Sequence, residues 1–190
     1  IDYRVVSYLP LCHVAEQAVT SYGLMVRGGE VYFCPEITEV KDYLLAVRPT
    51  AFLAVPRVWE KFQAALEAKL SEATGIKAAL AGWALRTEKA AFDREVATGE
   101  TVRSFGRRMA NKLVISKIKD KLGLDQLRIA VTGAAPISVG TLGFFASLGI
   151  AIYEVYGMSE TGAVCTAPQY GRPRPGTVGH PLPNVELRIA

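Results

Sequence analysis

The groups best suited to chemistry lie close together in Tyr153-Glu154-Val155-Tyr156-Gly157-Met158-Ser159-Glu160-Thr161. An aromatic ring there can stack on a base, a glycine lets the backbone approach a ligand closely, a hydroxyl can reach a phosphate, and a carboxylate can hold Mg²⁺. The segment directly follows an apolar run at 150–155 of strand length. Loops at the carboxyl ends of parallel strands are where α/β proteins bind ligands. Residue types alone therefore point to a nucleotide site, as a generic signal.

Elements able to position such a loop are legible along the chain. Apolar runs at 5–9, 31–33, 51–55, 127–131 and 150–155 alternate with segments of helical period. That alternation predicts an α/β fold with a mostly parallel sheet flanked by helices. Helices are expected at 14–26 and at 39–47, the second capped by Thr38 and stopped before Pro49. Pro56 suits the first turn of a third helix, whose Val58, Trp59, Phe62, Leu66 and Leu70 recur at the spacing of one buried stripe. Gly75 is expected to end it.

From about 76 to 123 the sequence reads as a helical insertion of two helices broken around Gly99, with Phe105, Met109 and Leu113 on one face and Ile115, Ile118 and Leu122 continuing it. The second of these helices carries Arg103, Arg107, Arg108, Lys112, Lys117, Lys119 and Lys121 against one acid, Asp120. A solvated outer face is the plain reading of such a charge run, and attraction to CoA phosphates or to an anionic membrane surface is the functional one. Residues 129–153 contain no charged side chain and are long enough to cross a bilayer, but Pro136 and four glycines oppose a single helix. The stretch divides better into a strand, a loop, a helix capped by Ser138 and a second strand, a buried βαβ unit.

The chain has 190 residues, half of them hydrophobic and 21% charged, which suits one globular unit and excludes disorder. Its net charge of +4 permits an anionic partner, and no feature calls for nucleic acid. Three widely separated cysteines, Cys12, Cys34 and Cys165, lack the spacing of zinc or disulfide frameworks and read as buried small apolar residues in a reducing cytoplasm. The sequence opens on Ile1 without a leader, and 185–190 reads as a strand cut midway, so both ends are expected to be truncated.

Two ordered motifs make a resemblance specific. Tyr156-Gly157-Met158-Ser159-Glu160-Thr161 resembles the Tyr-Gly-x-Thr/Ser-Glu core of the adenylate-forming superfamily, which includes acyl-CoA synthetases, luciferases and peptide-synthetase adenylation domains. Upstream, Thr132-Gly133-Ala134-Ala135-Pro136 resembles the loop that borders adenine and ribose there. The segment from Ser7 to Gln17, containing Leu9-Pro10-Leu11-Cys12-His13, and Val55-Pro56-Arg57-Val58-Trp59-Glu60-Lys61 are similar to signatures of long-chain fatty acid–CoA ligases, and 112–128 and 176–183 fit the same group, including its bubblegum-type branch.

The resemblance implies an internal fragment of the large N-terminal domain of such an enzyme, with 1–170 as its AMP-binding α/β portion and 171–190 as the start of a β-rich subdomain. It assigns Tyr156 to the adenine face, Gly133, Ala134, Ala135 and Pro136 to the adenine–ribose wall, Ser159 to the α-phosphate and Glu160 to Mg²⁺, with Gly157 and Met158 in the same loop. It places His13 beside the acyl and phosphate groups, against a plain reading as a hydrogen-bonded structural histidine. ATP, Mg²⁺ and CoA are the implied cofactors and cosubstrates, and a long-chain fatty acid the implied acid. A cytoplasmic enzyme, peripheral at a membrane and open to oligomer formation, is the expected setting.

Trp59 reads as core rather than as an acyl gate, and the gating tryptophan of some long-chain enzymes is replaced here by Ala15, Glu16 and Gln17. Gly176 and Gly179 are expected in turns, and His180 in a structural role. The Ser/Thr/Gly-rich phosphate loop, the ribose-binding Asp and the C-terminal catalytic Lys of the family are not in this sequence, so the fragment by itself is expected to be inactive. The alternatives are an acyl-AMP ligase that loads a carrier protein and a non-catalytic nucleotide- or acyl-binding module.

Overall fold

The computed structural model describes residues 3–188. Strands β1 (Arg4–Ser7) and β2 (Glu30–Phe33) pair in parallel with Val5 opposite Val31. Strands β3 (Ala51–Leu53), β4 (Ile129–Thr132) and β5 (Ile152–Glu154) form a second parallel sheet in that order. The two lie edge to edge. Thr50 N donates to Arg4 O at 3.0 Å, Arg4 N donates to Thr50 Oγ1 at 3.0 Å, and Val55 N donates to Tyr8 Oη at 3.3 Å. The parallel layer therefore runs β2-β1-β3-β4-β5, with helical crossovers between consecutive strands, as the alternating pattern requires.

The first crossover is one continuous helical run: α1 (Val14–Glu16), a π-helical turn (Gln17–Tyr22) and α2 (Gly23–Arg27). A 3₁₀ turn (Ile37–Glu39) leads into α3 (Val40–Val47), so Thr38 sits inside that turn and the N-cap position falls to Glu39, which corrects the expected cap. Pro56 occupies the first turn of α4 (Pro56–Ser71), where its missing N–H leaves no helical bond unmade. Of the predicted stripe, Val58, Trp59 and Leu66 are buried and Phe62 and Leu70 half-buried. Trp59 is fully enclosed, edge-on to Phe52 at 5.5 Å and to Phe145 at 4.9 Å, a core residue rather than a gate.

Helix α4 stops before Gly75, and Gly75 instead opens α5 (Gly75–Thr98), with Thr74 in the N-cap position. Gly99, at φ 71°, ends α5 in the left-handed conformation that glycine adopts without strain. The return arm comprises α6 (Phe105–Ala110), a π turn (Asn111–Ile115) and α7 (Ser116–Leu122). Its inner face is Ala110, Ile115 and Leu122, whereas Phe105 and Leu113 point outward. Of the face predicted through 105, 109, 113, 115, 118 and 122, the second half is buried or half-buried while Phe105 and Leu113 are not: Leu113 lies two residues from Ile115, on the opposite side of the helix, and the π turn brings Ala110 onto the Ile115 face instead. Arg107 forks from this arm onto Glu88 at 2.6 Å and onto Glu95, joining the two arms of the hairpin.

Helix α8 (Val139–Ser147) begins where Ser138 Oγ accepts from Thr141 N at 3.0 Å, the predicted cap. It closes the βαβ unit between β4 and β5, and among the described residues no helix is long and apolar enough to cross a membrane. After β5 the chain turns into an antiparallel sheet, β6 (Tyr156–Met158), β7 (Ala163–Ala167) and β8 (His180–Pro181). Of the strand expected at 185–190, residues 185–188 form none and 189–190 lie outside the described residues. Gly176 and Gly179 stand at φ 81° and 77° in the turns that lead into β8. Cys34 and Cys165 are buried, but Cys12 is exposed in the loop before α1, which corrects its expected burial.

Candidate functional site

A cavity of about 630 Å³ opens at the carboxyl ends of β3, β4 and β5. Leu53, Val131 and Val155 supply its apolar floor, and Val14, Ala18 and Val19 of the first crossover helix form the facing wall. His13 stands at one rim, with Met158, Ser159 and Glu160 at the other. A second cavity of about 440 Å³ lies alongside, lined by Ala135, Pro136, Tyr156, Glu154 and Gly176. Gly133, Ala134, Val155 and Gly157 form the wall that the two share. All ten site residues read from the sequence thus gather around this pair: His13, Gly133, Ala134, Gly157, Met158, Ser159 and Glu160 on the first, and Ala135, Pro136 and Tyr156 on the second.

Local backbone chemistry explains the arrangement. A Cβ at Gly157 would stand 1.6 Å from Ala163 O, so only glycine permits the close β6–β7 approach. The Ser159–Thr161 turn that follows is fixed by Thr161, whose Oγ1 accepts from Met158 N at 3.2 Å and donates to Met158 O at 3.0 Å. Ser159 and Glu160 are left exposed at the rim. On the facing loop Ala134 is held at φ 68°, a left-handed conformation costly for a residue with a Cβ, and such strain concentrates at ligand sites.

His13 serves as the N-cap of α1, its Nδ1 accepting from Ala15 N at 3.2 Å. That bond requires an unprotonated Nδ1, so the neutral ring carries its proton on Nε2 and can donate from there. The structural and functional readings of His13 are therefore compatible. Behind it Glu16 is buried, accepts from Leu9 N at 3.2 Å, and has its carboxyl pushed above the usual range by burial. Burial also pushes the Tyr8 hydroxyl up to about 12, opposed by the Val55 amide that donates to it.

Three contributors carried no role in the sequence reading. Glu154 Oε2 accepts from Gly176 N at 2.6 Å, and Tyr153 Oη accepts from Gly171 N at 3.0 Å while its ring stacks on Tyr170. Together they tie the 168–179 loop to the end of β5, beside the second cavity. Thr161 holds the rim turn. Their polarity at the end of an apolar strand was the available signal; their partners are remote in sequence.

Among the described residues no cluster of three or more His, Cys, Asp or Glu could hold a metal by itself. One exposed carboxylate, Glu160, beside a cavity is nonetheless the donor set that suits Mg²⁺, which commonly takes one or two protein carboxylates and completes its shell with water and substrate phosphate.

Comparison with known proteins places this architecture. The model of a family described as AMP-binding enzyme matches residues 2–190. The chain is 43% identical over 160 residues to the long-chain-fatty-acid–CoA ligase ACSBG2 of Xenopus laevis, covering 83% of this chain and 22% of that protein. It is 38% identical over an alignment of 192 residues to the putative fatty-acid–CoA ligase fadD11 of Mycobacterium tuberculosis, covering 98% of this chain and 33% of that protein. The chain thus spans a fifth to a third of the length of these relatives. In fold it is similar to apo MatB from Rhodopseudomonas palustris, with a TM-score of 0.56 at 22% identity over 96% of this chain and 26% of that one.

Proposed function

The chain belongs to the AMP-binding enzyme family, and from that premise we propose that it builds the adenylate and acyl sites of an AMP-forming long-chain fatty acid–CoA ligase. The observation that carries the reading is the pair of joined cavities. One has an apolar floor and a rim carrying His13, Ser159 and Glu160, the other an exposed aromatic ring, and they share a glycine-containing wall. An alkyl chain suits the first and a nucleoside the second, so in this reading the fatty carboxylate and the α-phosphate would meet at the rim.

In this reading Tyr156 offers its ring to adenine, and Gly133, Ala134, Ala135 and Pro136 form the wall beside the base and ribose. Ser159 donates its hydroxyl to the α-phosphate. A fatty carboxylate is already ionised at neutral pH, so no base is needed for its oxygen to attack the α-phosphorus, and pyrophosphate leaves as acyl-AMP forms. His13 Nε2–H is the donor placed to orient that carboxylate or to bind an α-phosphate oxygen. Glu160 would hold Mg²⁺, which when bound neutralises charge developing on the phosphate oxygens. In the second half-reaction the sulfur of CoA attacks the acyl carbonyl and AMP leaves.

The test is incubation of the full-length protein with Mg-ATP, CoA and saturated acids from short to very long. The reading expects acid-dependent AMP and acyl-CoA, greatest for long chains. Acyl-AMP without acyl-CoA would assign the protein to carrier-protein loading, and no turnover of ATP with any acid would leave it a binding module.

A further inference from the structure

The outer face of the helical hairpin remains without a role in this chemistry. Its inner face is accounted for: Ala84 packs with Ala110 and Ile115, and the Arg107 charge is absorbed by Glu88 and Glu95. Outside, Arg108, Lys112, Lys117 and Lys121 recur at four- or five-residue spacing, and Arg103 precedes them. None of these cations has an ion pair among the described residues. The arm's one acid, Asp120, is engaged by Arg48 at 2.7 Å. Phe105 is 72% exposed and Leu113 is exposed beside Lys112. A face kept only for solubility mixes both signs and avoids bare aromatics, whereas this one sets apolar side chains among uncompensated cations.

Arg103, Phe105, Arg108 and Lys112 of this face, with Asn111 and Ser116, line a cleft of about 830 Å³, and Lys117 and Lys121 continue the cationic row beyond it. Its inner wall includes Glu88, Arg107 and Gly149, just before β5. It therefore lies toward the amino end of that strand, away from the paired cavities at the carboxyl end. Guanidinium, ammonium, amide and hydroxyl groups around a cleft suit phosphate oxygens, and an aromatic ring beside them suits the boundary between headgroups and acyl chains.

We propose that this face docks the protein on an anionic phospholipid bilayer, with lipid phosphates in the cleft and Phe105 at the headgroup–acyl boundary. The proposal does not depend on the ligase reading, because it concerns a surface that no step of that reaction uses.

The test is co-sedimentation of the full-length protein with vesicles of phosphatidylcholine alone and with vesicles containing about 30% phosphatidylglycerol. Binding is expected only with the anionic vesicles, weakening as salt is raised. The Arg108→Glu/Lys112→Glu variant should lose about tenfold or more in vesicle affinity, and Phe105→Ser should also bind less, while both keep the wild-type melting temperature because these side chains hold nothing else in the fold. Equal binding to neutral vesicles, or unchanged binding by both variants, would overturn the proposal. So would a phosphate-dependent rise in melting temperature without vesicle binding, which would assign the cleft to a soluble phosphate compound. Sedimentation requires no turnover, so its outcome is independent of ligase activity.

Discussion

At position 157 a single methyl decides whether the rim of the site exists, because its carbon would overlap Ala163 O. Gly157→Ala in the full-length protein is expected to break the β6–β7 approach and displace Ser159 and Glu160, lowering acid-dependent AMP release by about 100-fold or more; initial-rate measurements check it. Tyr8 carries a separate prediction. Its folded-state value of about 12 exceeds the ordinary 10.0, so the stabilisation is complete below pH 10 and is lost as pH rises from there to about 12. Urea melts across that range should show the decline, and Tyr8→Phe should remove this part of it. Residue type was enough where it alone restricts the role, as at Gly157, whose hydrogen faces the Ala163 carbonyl. Glu154 was not legible, because its function depends on Gly176 N, which only the folded chain brings to it.

Among the elements, the hairpin clasp and the loop tie make the sharpest predictions. Arg107→Met would leave Glu88 buried without its partner and should cost about 3 kcal/mol, read as a fall in the urea midpoint. Glu154→Ala frees the loop at Gly176 and should raise KM for ATP several-fold, with little change in KM for the fatty acid, because Gly176 lines the second cavity and the loop does not line the first. Hydrophobic period located the crossover helices, the stripe through Trp59 and the uncharged βαβ unit. Boundaries were less legible. Gly75 can end a helix or open one, and Thr38 loses its capping role to a 3₁₀ turn that periodicity does not register. The π turn at Asn111–Ile115 brings Ala110 and Ile115, five residues apart, onto one face, and Leu113, two residues before Ile115, falls on the opposite side.

For the molecule as a whole, one sheet edge assembles the site. Three parallel strands end together, a capped helix approaches from one side, and an antiparallel hairpin carries the rim from the other. The paired motifs at 133–136 and 156–161 foretold that meeting, since each follows a parallel strand and adjacent parallel strands deliver their following loops to the same edge. The apolar cavity beneath the rim was not legible, because its walls come from segments far apart in sequence. The most direct measurement is long-chain acid-dependent AMP release by the full-length protein, wild type against Glu160→Gln, at saturating Mg-ATP and CoA. The account predicts turnover by the wild type and a kcat lower by about 100-fold or more in the variant, with its melting temperature unchanged because the side chain is exposed at the rim. Near wild-type turnover by Glu160→Gln would contradict it.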